Sequence, residues 1–288
     1  MKSTHTNSNA QKVALVTGAS SGIGMSAAIQ LAESGFITYA AARRTDRMET
    51  LKQKGIRVLA LDLTEASSID ACLQAIATQH GGVDVLVNNA GYGSYGSQEE
   101  VSVTEAKRQF DVNVFGLTQV TQRVLPYMRN KRWGRVINVS SIGGVSATPY
   151  GGWYHATKFA VEALSQALRQ EVKPFGIDVV VIRPGGIKTE WAGIATESME
   201  ATSGKGAYKI AVSAMGRAFR AATLNEKLMA EPSVIANVIQ KAATAAHPNW
   251  IYTAPYSGKF MVLISKLALM TGTYDMMLRM AFKLPKTM

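Results

Sequence analysis

The chain has 288 residues, 31 Lys and Arg against 20 Asp and Glu, a formal net charge of +11 and one cysteine. This length suits one α/β domain around a single core, and one cysteine excludes an intrachain disulfide. The charge would attract polyanions, but there is no zinc-ligand spacing, zipper or stacking-aromatic motif to suggest a nucleic-acid partner, and His5, His80, His155 and His247 are too dispersed for a metal motif, so neither is expected.

Met1 to Gln11 is polar and lacks both a basic start and an apolar stretch, so it reads as a loose tail and not a signal peptide. With Cys72 placed in an apolar-periodic helix as a small core residue, a reducing cytoplasm is the expected compartment. Lys12–Val16 reads as a buried strand, followed by the turn Thr17-Gly18-Ala19-Ser20-Ser21-Gly22-Ile23-Gly24 and a helix that Gly35 stops. Gly18 permits the tight turn, Gly22 lets the backbone approach a ligand, and Gly24 lets helix and strand pack closely. The amides at the helix start suit a pyrophosphate.

The second strand, Ile37–Ala41, ends in Ala42-Arg43-Arg44, where an acid would hold a ribose 2′-hydroxyl. Ala42 offers no carboxylate, whereas Arg43 and Arg44 match a 2′-phosphate, so NADP(H) is expected over NAD(H). Further strand signals at Arg57–Leu61, Val83–Val87, Val136–Val139 and Ile177–Ile182 alternate with segments long enough for crossover helices. That rhythm predicts a Rossmann-like, doubly wound parallel sheet in a three-layer α/β/α domain over residues 12–254, with ligands at the C-terminal edge of the strands. Ser141 follows a strand, and thirteen positions on, Tyr154 and Lys158 are spaced to share one helix face, placing a proton donor beside a fixed cation.

Beyond Pro184 the alternation breaks. Residues 190–232 lack a clear strand and read as one or two helices with mobile links over the cleft; Pro232 suits a helix start, and Trp250–Thr253 reads as a last strand. Residues 255–288 form a basic, apolar tail in which Phe260–Met270 falls far short of the roughly 20 residues needed to span a bilayer. Lys259, Lys266, Arg279, Lys283 and Lys286 are interleaved with Phe260, Leu263, Leu267, Met277, Met280 and Phe282. Two readings are open for that pattern: a helix lying in a membrane interface, or apolar residues packed on the protein or a partner subunit.

The ordered set Thr17-Gly18-x-x-x-Gly22-x-Gly24, Asn88-Asn89-Ala90-Gly91, Asn113 after Phe110-Asp111-Val112, Ser141, Tyr154-x-x-x-Lys158 and Pro184-Gly185 with Thr189 resembles the short-chain dehydrogenase/reductase family, in its compact branch, from about Lys12 to Thr253. The resemblance implies interconversion of a carbonyl and an alcohol. Tyr154 would be general acid and base, Lys158 would lower its pKa and bind the nicotinamide ribose, Ser141 would polarise the carbonyl, and Asn113, in the preceding long helix, would anchor a water relay. The cofactor set it implies is Gly18, Ser20, Ser21, Gly22, Ile23, Gly24, Arg43, Arg44, Asp62, Leu63, Asn89, Ala90, Gly91, Tyr154, Lys158, Pro184, Gly185, Ile187 and Thr189, with Asp62 at the adenine and Ile187 and Thr189 at the carboxamide. Asn88 is expected to be structural, and His155 to point off the catalytic face. The resemblance also implies a homodimer or homotetramer through the helices around Thr104–Met128 and Tyr154.

A lipophilic ketone or aldehyde, steroid-like, retinoid-like or simpler, is what the resemblance implies as substrate; Tyr150, Trp153, Trp191, Met199 and Met215 either make a roomy apolar pocket for it or are ordinary core and helix packing, and Glu190 and Trp191 either border it or anchor the loop. The alternative is a non-catalytic NADP(H)-binding regulator or scaffold, which a complete catalytic set disfavours.

Overall fold

A computed structural model describes residues 11–225 and 228–285. The expected tail at Met1–Gln11, except Gln11, and Lys286 lie outside them. Seven parallel strands form one sheet in the order β3-β2-β1-β4-β5-β6-β7: β1 (Val13–Thr17), β2 (Ile37–Ala42), β3 (Arg57–Ala60), β4 (Val85–Asn88), β5 (Gly134–Val139), β6 (Ile177–Pro184) and β7 (Ile251–Ala254). The order reverses between β1 and β4, which opens a crevice above their C-terminal ends.

The strands read as continuous apolar runs because both sheet faces are covered. Side chains alternate across the sheet: Ala14 and Val16 join a core with Ala27, Ala28 and Leu31 of α1 (Gly22–Glu33), while Val13 and Leu15 point to the opposite core. That second core takes in Ile69, Cys72 and Ile76 of α3 (Ala66–His80), which follows the short α2 (Glu49–Lys52). The Cys72 thiol is pushed up to about 12 by burial, so it packs as a small apolar residue.

The helices stop and start where local chemistry dictates. Gly35, at φ +87°, closes α1, with the amides of Gly35 and Phe36 returning to the carbonyls of Ala32 and Leu31. The Ser102 hydroxyl accepts the Glu105 amide at 3.1 Å and caps α4 (Val103–Phe110). One π-helical turn, Asp111–Gly116, joins α4 to α5 (Leu117–Lys131). The long α6 (Gly152–Val172) follows β5 and a short 3₁₀ turn, Ile142–Gly144.

Residues 190–232 contain α7 (Trp191–Ser203) and α8 (Lys209–Leu224), and Pro232 starts α9 (Pro232–Thr244), which packs on α1. After β7, α10 (Tyr256–Met270) leaves beside Gly185, and α11 (Tyr274–Phe282) turns back toward α8. A Cβ on Gly185 would stand 3.2 Å from the Gly258 Cα, and the Tyr274 hydroxyl donates to the Ala147 carbonyl at 2.9 Å. No helix among the described residues is long and apolar enough to cross a membrane.

Candidate active site

The glycine turn between β1 and α1 is held from the neighbouring strand. Asn89 donates through Nδ2 to the carbonyls of Thr17 at 3.0 Å and Gly18 at 3.2 Å, while the amides of Asn89 and Ala90 bond the Thr17 hydroxyl. Gly18 lies at φ +67°, and a Cβ there would come within 2.7 Å of the Ala90 Cα. The Asn89 side chain is therefore a clamp on the turn, and what it offers a cofactor channel is backbone. Ser21 precedes α1 in extended conformation without capping the first helical turn, which contains no acidic side chain. Amides at that end, between the buried Ser20 and the partly buried Ser21, Gly22 and Ile23, fit a diphosphate. Gly22 faces Thr189 across this space, 3.0 Å from a Cβ to the Thr189 methyl.

Arg43 and Arg44 emerge exposed at the end of β2, and among the described residues neither is held by a hydrogen bond or close ion pair. Asp62 lies at the end of β3; burial works to raise its carboxyl, but bonds from the Thr64 amide and hydroxyl and the nearby Arg43 and Arg108 bring it below the usual value. Leu63 is buried in the second core, with its Cβ and its carbonyl oxygen each 2.6 Å from where a Gly116 side chain would begin. Pro184 and Ile187 are buried at the end of β6 and just beyond, where Ile187 pairs with Ala230. Glu190 is the loop anchor: it takes Arg47 through both carboxylate oxygens at 3.1 Å.

The catalytic candidates meet between β5, the π turn and α6. Tyr154 is buried, bonded by Ser141. Lys158 donates from Nζ to the Val139 carbonyl at 2.9 Å, and its ammonium lies 5.9 Å from the Tyr154 ring centre. Asn113 reaches them because of the π turn: its Oδ1 accepts the Tyr92 amide at 3.0 Å, and its Nδ2 donates to the Tyr92 carbonyl at 2.9 Å and the Thr157 hydroxyl at 3.1 Å. Both amide protons of Asn113 are thus committed to positioning. Thr157 in turn donates to the Tyr154 carbonyl at 2.7 Å. Asn88 bridges the sheet instead, donating to Thr121 and Asn138 at 2.9 Å each.

The expected depression of the Tyr154 pKa by Lys158 does not hold in this structure. Burial pushes the phenol up to about 12 against the opposing Ser141 bond. Burial likewise brings Lys158 down to about 8, with Glu162 pulling the other way. Desolvation disfavours both charged forms, and one of the three ammonium donors is given to the Val139 carbonyl.

His155, read from sequence as pointing away, is a buried support of the site. Its Nδ1 lies 2.9 Å from the Gly143 carbonyl, which can only accept, so in the neutral ring Nδ1 carries the proton and Nε2 accepts from Thr148, also at 2.9 Å. Burial lowers its pKa, which keeps the ring neutral. His155 thereby fixes the 3₁₀ turn that follows Ser141, whose Oγ accepts the Gly143 amide at 3.0 Å. Its place beside Tyr154 was the available signal; the turn it grips was not visible.

An aromatic roof covers Tyr154. Trp191 stands 5.0 Å and Tyr95 5.7 Å from it between ring centres, and Phe219 of α8 meets Tyr95 edge to face at 5.9 Å. Phe282 of α11 adds to Phe219 at 6.1 Å. Tyr150, Met199 and Met215 belong to the same cluster, but Trp153 does not: it faces Phe110 on the α4 side. Tyr95 and Phe282, absent from the expected pocket, are brought in by tertiary packing. Tyr150 holds φ +62°, unusual for a side chain with a Cβ, and its carbonyl accepts the Gly96 amide at 2.8 Å. Serines tether α7 to the loop after β4: the Tyr95 amide bonds Ser198 at 3.2 Å and the Ser97 amide bonds Ser203 at 2.9 Å. Among the described residues no group of three His, Cys, Asp or Glu is placed to hold a metal ion.

Residues 12–200 match the family described as short chain dehydrogenase. The chain is 43% identical over 178 residues to a 3-ketodihydrosphingosine reductase of Bacteroides thetaiotaomicron, a match covering 62% of this chain and 65% of that protein, just under two thirds of its length. It is 36% identical over 207 residues to an NADPH-dependent 3-dehydrocapnine reductase of Ornithobacterium rhinotracheale, covering 69% and 71%. Among solved structures, a short-chain dehydrogenase from Streptomyces avermitilis superposes with a TM-score of 0.79 at 30% identity over 93% of this chain and 96% of that one. A short-chain dehydrogenase/reductase from Burkholderia phymatum, in complex with NAD, shares the fold at a TM-score of 0.77 and 24% identity, over 91% and 95%. The strand order agrees with the family match over 189 of the 288 residues, from 12 to 200, and the chain belongs to the short-chain dehydrogenases, a family of oxidoreductases.

Proposed function

We propose that this oxidoreductase uses NADPH to reduce a ketone carried on a long apolar molecule. The observation that carries the reading is the buried phenol of Tyr154 under an apolar roof of Tyr95, Trp191, Phe219 and Phe282. A phenol keeps its proton at neutral pH, and burial pushes Tyr154 further the same way, so the site holds the proton that reduction consumes. The similar proteins point the same way: both are named as reductases, one of a 3-keto group and one NADPH-dependent.

When bound, the nicotinamide supplies hydride to the carbonyl carbon. The protein's part is positioning and proton transfer. Ser141 and Tyr154 would hold the carbonyl oxygen, and Tyr154 would release its proton to it. Lys158, with donors to spare beyond the Val139 carbonyl, would bond the ribose and favour the phenolate left behind. Arg43 and Arg44 would take the 2′-phosphate.

The test is NADPH and NADH oxidation against a panel of small ketones, steroid-like ketones and long-chain 3-keto lipids in micelles, with Tyr154→Phe as the blank. The expected result is NADPH-selective turnover of the long-chain members. Arg43→Ala should raise the KM for NADPH roughly 10- to 100-fold, as loss of a charged hydrogen bond would, and barely change that for NADH. Equal losses would dismiss the 2′-phosphate role. Cofactor binding without any turnover would favour the regulator or scaffold.

A further inference from the structure

Helix α10 turns its apolar stripe the wrong way for a helix that only packs on its own protein. Gly258 and Ala268 face inward, whereas Tyr256, Phe260, Leu263, Leu267 and Met270, spaced by alternating steps of four and three, all face outward and are 54 to 84% exposed. Lys259 and Lys266, seven residues apart, follow this stripe along one flank, roughly 70° around the helix. Met276 and Met280 of α11 are exposed beside Arg279, and a groove of about 280 Å³ between the helices is lined by Ile264, Leu267, Met276 and Met277.

We propose that α10 and α11 form a docking surface for an anionic lipid bilayer, lying flat with the stripe in the acyl boundary and the cations at the headgroups. Charge decides between occupants. Residues 256–285 carry four cations, Lys259, Lys266, Arg279 and Lys283, against one acid, Asp275. A second copy meeting this face across a two-fold axis would set like charges against each other, whereas an anionic surface complements them. The whole chain, at +11, adds to that attraction. The placement also has a use: the helix pair that shows this stripe carries Phe282 in the roof over Tyr154, so the site would sit against the bilayer.

The experiment is co-flotation of the purified full chain with phosphatidylglycerol-containing vesicles and with pure phosphatidylcholine vesicles, alongside solution mass. It reads no turnover, so its outcome is separate from the substrate proposed above. Flotation with the anionic vesicles is expected, weakened by salt. Phe260→Ser with Leu263→Ser, and separately Lys259→Glu with Lys266→Glu, should each cut partitioning at least tenfold while leaving circular dichroism and thermal unfolding unchanged. These residues are exposed, so the variants should fold. No flotation of the unaltered chain, or flotation that survives both double substitutions, would overturn the proposal. A solution mass that falls by half with Phe260→Ser and Leu263→Ser, with no flotation, would assign the face to a second copy.

Discussion

Lys158 shows how one buried side chain serves the site at the expense of the fold. Its ammonium gives up a proton at about 8, against 10.5 for a free lysine, because burial removes its water. Between those values the unfolded chain holds a proton that the folded chain has lost, so this residue makes stability rise with pH through that window. The shift corresponds to something on the order of 3 kcal/mol. Urea unfolding across that range should show the contribution vanish in Lys158→Met, as the difference between the two stability curves; parallel curves would mean that the lysine keeps its ordinary pKa. The pairing of Tyr154 with Lys158 was legible because a spacing of four on a helix is a local fact. The pKa order was not, since it depends on how much water tertiary packing leaves around each group. The grip of His155 on Gly143 depends likewise on a 3₁₀ turn that no periodicity announces.

At the level of elements, the strands were readable because parallel strands covered on both faces are unbroken apolar runs, and their ends lie within a few residues of the expected positions. Val83–Val87 was read two residues long at its start because Asp84 is buried for another purpose: its carboxylate accepts the Val13 amide at 2.8 Å and pairs with Lys131. The π turn at Asp111–Gly116 was not readable, because one extra residue barely disturbs a pattern of apolar positions even as it rotates the helix beyond it. Helices α10 and α11 were legible as amphipathic, but not the direction in which α10 faces. The glycine turn yields a prediction. A Cβ on Gly24 would fall 2.4 Å from the Gly18 carbonyl oxygen and 2.5 Å from Asn89 Nδ2. Two rigid neighbours cannot both give way, so Gly24→Ala should destabilise the chain by about 1–3 kcal/mol in denaturant unfolding and weaken cofactor binding. An unchanged midpoint would show that the turn is softer than its contacts.

For the molecule as a whole, two apolar surfaces await cover, and they lie on different elements. Phe115 in the π turn and Phe159 and Leu164 on α6 are exposed on the helices where the family resemblance places a subunit interface, away from α10. We propose that copies of the chain pair there. Light scattering should then give a multiple of the monomer mass, which Phe115→Glu with Phe159→Glu should reduce; a monomeric mass for the unaltered chain would refute the pairing. The roof over Tyr154 has a consequence in time as well as in space. The glycine turn, its Asn89 clamp and the two arginines after β2 all come from the first third of the chain, whereas the roof needs Trp191, Phe219 and finally Phe282. As the chain leaves the ribosome, the part of the cradle proposed to take the diphosphate and 2′-phosphate is therefore synthesised long before both the residues proposed at the nicotinamide end and the cover over the reacting tyrosine.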